Sequence, residues 1–386
     1  MVENVLKGSK TYWAWVAFLL ALIASGVGFG VYQWFEGLGI TGMSRDVPWG
    51  FYIGQFTFLV GVAASAVMVV LPYYLHHYKA FGKLAVLGEF VAVSAVIMCM
   101  LFIFVDMGQP TRILNVFLHP TVNSLMFWDT VSLFGYFGLN VLITWVTFGA
   151  ERKGLPPPGW IKPVIYLSIP WAVSIHTVTA FLYSGLGARP FWMTAVLAPR
   201  FLASAFAVGP SLLILFVLIL RKVTTFDAGD EAVKLLSKIV TYAMVVNVFL
   251  LFMEFFTAGY SGIPEHLEHF EYLFFGLEGK GVLVPWMWTS LILAGVALVL
   301  LIVPSLRSDP TALVVACVAV IASLWIDKGL GLIIVGFIPS PLHSVTEYWP
   351  TIPEAMITLG IYGIGALLIT GFYKIATSVR AEVRGV

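Results

Sequence analysis

Polar residues divide this chain into ten long apolar stretches. They lie near 11–34, 51–76, 82–105, 124–149, 161–185, 200–220, 237–258, 283–304, 311–336 and 354–376. About 20 consecutive apolar residues suffice to cross a bilayer as a helix, so the pattern predicts an all-α, polytopic membrane protein with about ten transmembrane helices. Helix-breaking residues punctuate the connections at Gly108-Gln109-Pro110, Pro156-Pro157-Pro158-Gly159 and Pro339-Ser340-Pro341. Lys7 and Lys10 precede the first stretch as in a signal peptide. That stretch is longer than the 7–15 residues of a signal core and lacks a small-residue cleavage motif, so it reads as a retained first helix.

Composition supports the same solvent. Hydrophobic residues make up 60% of the 386 and charged residues only 11%, against about 25% charge in soluble domains; the mean hydropathy is +0.96. Such a chain needs lipid around it. A net charge of +1 gives no basic face for nucleic acid. Cys99 and Cys317 both sit in apolar runs, too few and too isolated for an iron–sulfur or zinc site.

Positive charge sets the expected orientation. Of the 21 Lys and Arg, only Arg45, Arg112, Arg189, Arg200, Lys280 and Lys328 fall on one side, and the rest fall on the side of the two termini. The positive-inside rule then puts both termini in the cytoplasm of a cell-membrane protein. The outer loops 35–50, 106–123, 186–199, 259–282 and 337–353 are rich in Trp, Pro, Gly and acids. They read either as a docking platform for an extracytoplasmic partner or as an ordinary aromatic belt.

Ionisable groups inside a bilayer are costly and mark function. Here they are Glu89 in the third helix, Asp129 in the fourth, His176 in the fifth, Glu254 in the seventh and Asp327 with Lys328 in the ninth. Asp106 and Arg112 stand at the outer end of the third helix and just beyond. Counting inward, Asp129 and His176 both lie roughly 8–14 Å below the outer surface on antiparallel neighbours, a depth at which an Asp–His pair can form. Asp129, Ser132, Tyr136 and Asn140 share one helical face, and His176, Thr179 and Tyr183 share another. Polar faces in lipid must turn to protein or water, so the two together outline a polar pocket. A quinone would suit it: two carbonyl oxygens need donors, and reduction needs protons that Asp and His can exchange. The competing readings are a helix–helix hydrogen bond for His176, a structural buried acid for Glu89, and a self-neutralising surface feature near the outer interface for Asp327-Lys328.

Two further features carry less. His266-Leu267-Glu268-His269 has weak metal-ligand spacing and reads as a solvated amphipathic segment. His76 and His77 sit at the cytoplasmic edge, which leaves His176 without a partner at its depth and makes bound haem unexpected.

Five stretches, taken in order, resemble the NrfD/PsrC family of quinone-interacting membrane subunits. They are Asp46-Val47-Pro48-Trp49-Gly50, Asp106 to Arg112, Ser124 to Asp129, Ser174 to Phe181, and Ala188-Arg189-Pro190-Phe191-Trp192 through Pro199-Arg200-Phe201. The likeness spans roughly residues 10–376 and is closest in layout to the ten-helix branch with HybB-, HmcC- and DsrP-type subunits, the DsrP-like one preferred. It implies one integral membrane domain, 1–386, with two four-helix bundles: helices 2–5 (51–185) and helices 6–9 (200–336), flanked by helices 1 and 10. It implies a non-covalent menaquinone or other quinone site in the first bundle near the outer face, and no metal or haem in this chain. A ferredoxin-like iron–sulfur subunit would dock above it, with further cytochrome-containing redox subunits. It also implies a link to proton translocation and, for the DsrP-like branch, to sulfite reduction.

The expectation is thus a subunit in which His176 and Asp129 do the quinone chemistry and Tyr136 and Arg112 add hydrogen bonds. Glu89, Asp106, Glu254 and Asp327 would form a proton path. A secondary transporter and a purely structural anchor for redox partners are the competing classes; no internal repeat favours the first.

Overall fold

The computed structural model describes residues 6–63, 66–75, 78, 81–224 and 226–384; His76, His77 and Lys79 lie outside them. Among the described residues, ten helices are long and apolar enough to cross a membrane: Lys10–Ile40, Phe51–Tyr73, Leu84–Asp106, Leu125–Arg152, Ile161–Ser184, Leu197–Val223, Asp230–Ser261, Val284–Ile302, Pro310–Val335 and Ile352–Thr377. They are called the first to tenth spans below. Among the described residues the β pairing amounts to an isolated bridge between Leu277 and Lys280. The chain is all-α and polytopic, as the hydropathy pattern predicts.

Local chemistry fixes several helix ends. Ser9 accepts from the Tyr12 amide at the start of the first span. Asp309 accepts from the Ala312 amide ahead of Pro310, so a cap and a first-turn proline together open the ninth span. Asp230 and Glu231 occupy the first turn of the seventh span, where the helix dipole favours acids, and Arg221 at the end of the sixth binds Asp227 and Asp230.

Packing follows a simple order. The second span packs on the third, the third on the fourth, the fourth on the fifth, and the fifth returns to the second; the sixth to ninth spans close a similar ring. The first span pairs with the tenth, and the tenth lies along the third. The first–tenth crossing is close because Gly26 and Gly360 meet backbone to backbone. The two rings meet through the second, fifth, sixth and ninth spans. The second and ninth spans are the most enclosed, with 81% and 78% of their apolar cores buried, while the first is 17% buried. The centre of the molecule is therefore a protein–protein seam, and the outer spans face lipid.

The ninth span is not a regular α-helix. Residues Trp325–Leu332 form a π-helical stretch, a geometry that widens the helix and concentrates at functional sites. It carries Asp327, Lys328 and Gly329.

On the side of the longer loops, four connections knit into a cap. The Tyr348 hydroxyl accepts from the Phe51 amide at 2.7 Å and donates to buried Glu354 at 2.6 Å. Glu354 also accepts from the Gly42 and Thr351 amides. Trp192 donates its indole N–H to the Leu332 carbonyl at 2.8 Å. Its ring packs with Trp49, Tyr183 and Phe337, and Arg189 lies over Phe337. The Trp-rich loops are thus folded structure rather than a loose belt. The segment around His266 is also more than a solvated face. It is the helix Pro264–Phe274, whose His269 is 2% exposed and donates from Nδ1 to the Ile338 carbonyl at 2.8 Å.

Candidate functional site

The polar stripes of the fourth and fifth spans face protein, as their spacing predicts: Asp129, Ser132, Tyr136, Asn140, His176, Thr179 and Tyr183 are all buried. The two spans approach closely because the Trp171 ring lies against Gly135, where any Cβ would meet it. The Trp171 indole N–H donates to the Ser132 carbonyl at 2.9 Å.

The contacts across this interface differ from the expected Asp–His pair. Asp129 Oδ1 accepts from the Thr179 hydroxyl at 2.6 Å. Thr179 stands almost one turn beyond His176, so the carboxylate is held by a hydroxyl rather than by the imidazole. His176 is fully buried, and neither ring nitrogen has a hydrogen-bond partner. An imidazole always has at least one N–H, and leaving such a group bare in a buried place costs about 1–3 kcal/mol. The Tyr136 hydroxyl is spent on the Ala63 carbonyl of the second span at 3.2 Å. Tyr183 shares a 2.5 Å hydrogen bond with Thr57 of the same span.

Across the seam lies a charge cluster that sequence reading assigned to separate roles. Arg200, read from the sequence only as an outer-side charge at the start of the sixth stretch, is in the first turn of the sixth span and is 4% exposed. Its guanidinium binds Glu254 of the seventh span and Asp327 of the ninth, the latter at 2.5 Å. Asp327 and Lys328 are therefore not a self-neutralising pair. Lys328 instead lies 4.0 Å over the Phe201 ring and donates to the Phe201 carbonyl at 3.3 Å. It lies within electrostatic reach of His176.

The remaining predicted residues are scattered. Glu89 is buried near the other end of the third span and accepts from Thr144 at 3.1 Å. Asp106 ends the third span with one carboxylate oxygen buried and unpartnered. Arg112 is exposed in the turn Pro110–Arg112 and does not join the buried pair. Among the described residues no cluster of three or more His, Cys, Asp or Glu could hold a metal ion. Sequence reading missed Gln55, whose carbonyl receives both Trp325 and Tyr362, because an amide gives no signal in a charge count. It also missed Glu354, masked by its position at a predicted helix start.

Comparison with known proteins decides the family. The profile described as Polysulphide reductase, NrfD matches residues 39–337. The chain belongs to the NrfD family. This NrfD-family chain is 27% identical to a Halobacterium salinarum protein named as a putative dimethyl sulfoxide reductase membrane subunit, over 92% of this chain and 89% of the relative. It is 24% identical to the Hdr-like menaquinol oxidoreductase integral membrane subunit of Archaeoglobus fulgidus, over 78% and 73%. It is also 24% identical to the menaquinone reductase integral membrane subunit of Nitratidesulfovibrio vulgaris, over 93% and 90%. These names confirm the NrfD resemblance and do not confirm the leaning to the DsrP-like branch.

Proposed function

We propose that this chain is the quinone-reactive membrane subunit of a redox complex, exchanging electrons between a membrane quinol and a partner subunit. The observation that carries the reading is His176: two buried, unpartnered ring nitrogens less than a turn from the threonine that holds a buried carboxylate, in a family whose relatives are named for menaquinol and menaquinone. The residues fit such a molecule. A quinone carbonyl oxygen is an acceptor for the bare imidazole N–H, and the Tyr183, Trp49 and Trp192 rings pack together on the long-loop side. When bound, a quinone supplies the two-electron, two-proton couple. His176 would donate a hydrogen bond to its oxygen. Asp129, oriented by Thr179, would exchange a proton at the same end. Tyr136 ties the fourth span to the second through the Ala63 carbonyl.

For proton movement we propose Glu89, buried against Thr144 on the side of the termini, and Asp106 on the long-loop side. Arg200 occupies Glu254 and Asp327 otherwise. We assign both to the buried ion-pair cluster that holds Arg200 rather than to the proton path. Both termini face the cytoplasm in this proposal, which follows the Lys and Arg bias. The capped long-loop face carries a ferredoxin-like iron–sulfur subunit, with further redox subunits beyond it. Menaquinone is the preferred quinone because two relatives are named for it.

The test uses the complex purified with its native partners. His176→Ala and Asp129→Asn should each abolish menadiol-dependent reduction of the partner's iron–sulfur chain while leaving subunit composition intact. Unchanged menadiol oxidation in both variants sinks the reading.

A further inference from the structure

Lys328 is spent on less than its surroundings demand. It is 3% exposed, and an ammonium has three donors to satisfy. The structure gives it one long hydrogen bond, to the Phe201 carbonyl at 3.3 Å, and a cation–π contact with the ring of the same residue. The carboxylate next to it in sequence is turned to Arg200. Consecutive residues of a helix do not share a face, so Asp327 and Lys328 part to different neighbours within the π-helical stretch.

The same place holds the other under-satisfied group. Lys328 acts electrostatically on His176. Tyr183, which shares the His176 face of the fifth span, packs its ring 6.0 Å from Phe201, the residue Lys328 covers. His176 belongs to the ring of the second to fifth spans, and Lys328 to the ring of the sixth to ninth. Unspent donors from both rings therefore converge on their junction, among aromatic walls.

We propose that Lys328 is a second substrate-facing donor, so that the quinone site bridges the two four-helix rings rather than lying within the first. This rests on the reading of His176 given above. The chemistry of the ligand follows from the donors. Two donor groups reaching one junction from different spans select a molecule with acceptor oxygens at both ends of a flat apolar body. An oxidised quinone has that shape and only acceptors, while a quinol presents two hydroxyl donors of its own. The aromatic walls disfavour a hydrated inorganic anion, which would have to shed its water.

The purified complex is titrated with the quinone-site probe 2-heptyl-4-hydroxyquinoline N-oxide, followed by quenching of the probe's fluorescence. Lys328→Met should weaken binding about 10- to 100-fold, the worth of one charge-assisted hydrogen bond, and Lys328→Arg should bind within about threefold of wild type. Lys328→Met should also raise the KM for menadione more than the KM for menadiol. Wild-type probe affinity in Lys328→Met, with affinity lost in His176→Ala, overturns the role of Lys328 and leaves the His176 reading standing. Wild-type affinity in both variants overturns the two together. If Lys328→Met does not assemble, the same titration of Lys328→Gln decides: weakening of about fivefold or more supports the bridge, and unchanged affinity overturns it.

Discussion

Gly54 of the second span lies against the carbonyl of Gly329 in the π-helical stretch of the ninth; a Cβ on Gly54 would fall 1.9 Å from that oxygen. The obstacle is backbone, which cannot rotate away. Gly54→Ala should therefore force the seam between the two rings apart, costing about 3 kcal/mol or more. The melting temperature of the purified complex should fall by at least about 5 °C. Gly61→Ala, whose Cβ would meet Val208 at an ordinary 3.4 Å, should melt close to wild type.

Thr179 orients Asp129, and its removal should be felt in turnover rather than in folding. Thr179→Val keeps the shape and deletes the 2.6 Å hydrogen bond. A hydrogen bond to a charged group is worth about 1.5–3 kcal/mol, so menadiol turnover should drop about 10-fold or more. Thr177→Val, at a hydroxyl that bonds only the Val173 carbonyl of its own helix, should leave the rate near wild type.

Arg200 joins three spans, and its two carboxylates cannot stand alone. Arg200→Met should destabilise the protein by about 3–5 kcal/mol, the usual consequence of breaking a buried pair. Neutralising the stranded partners should restore much of this. The triple variant Arg200→Met, Glu254→Gln, Asp327→Asn is expected to melt above the single variant. A triple variant no more stable than Arg200→Met would show that the ion pairs are not what the arginine contributes.

His269 gives the cap a pH dependence. Burial pushes its pKa down from 6.5 to about 4, although its hydrogen bonds to backbone carbonyls pull the other way. The unfolded chain therefore binds a proton between those values that the folded protein does not. The histidine's contribution is complete above pH 6.5 and is lost as pH falls toward 4, by up to about 3 kcal/mol. Protease sensitivity of the Pro264–Phe274 helix should rise steeply over this window. His269→Gln should flatten that rise.

Much of this was legible in the sequence, and the reason is physical. Bilayer thickness imposes a length on each apolar run, so the ten spans follow from hydropathy alone. Helical periodicity likewise identifies the buried stripes at Asp129 and His176, because lipid tolerates no polar face. What periodicity lacks is the third dimension between helices. Asp129 and His176 share a depth, yet a rotation of less than one turn gives the carboxylate to Thr179. Arg200 follows Pro199 at the first position of the predicted sixth stretch and so reads as a charge of the outer edge. Only the approach of Glu254 and Asp327, distant in sequence, shows it to be interior. The π-helical stretch leaves no mark in the pattern of apolar residues, and adjacency in sequence alone makes Lys328 look like a mate for Asp327.

The Arg200 cluster also dictates how the protein must be made. Glu254 follows Arg200 by 54 residues and Asp327 by 127. At roughly 5–20 residues per second, the arginine leaves the ribosome several seconds before Asp327 exists. Until Glu254 follows, the sixth span can lodge in the membrane with its guanidinium reaching back to the water interface, which its first-turn position permits. The second ring can close only when the ninth span arrives, so the last carboxylate to be synthesised acts as the latch of the insertion process.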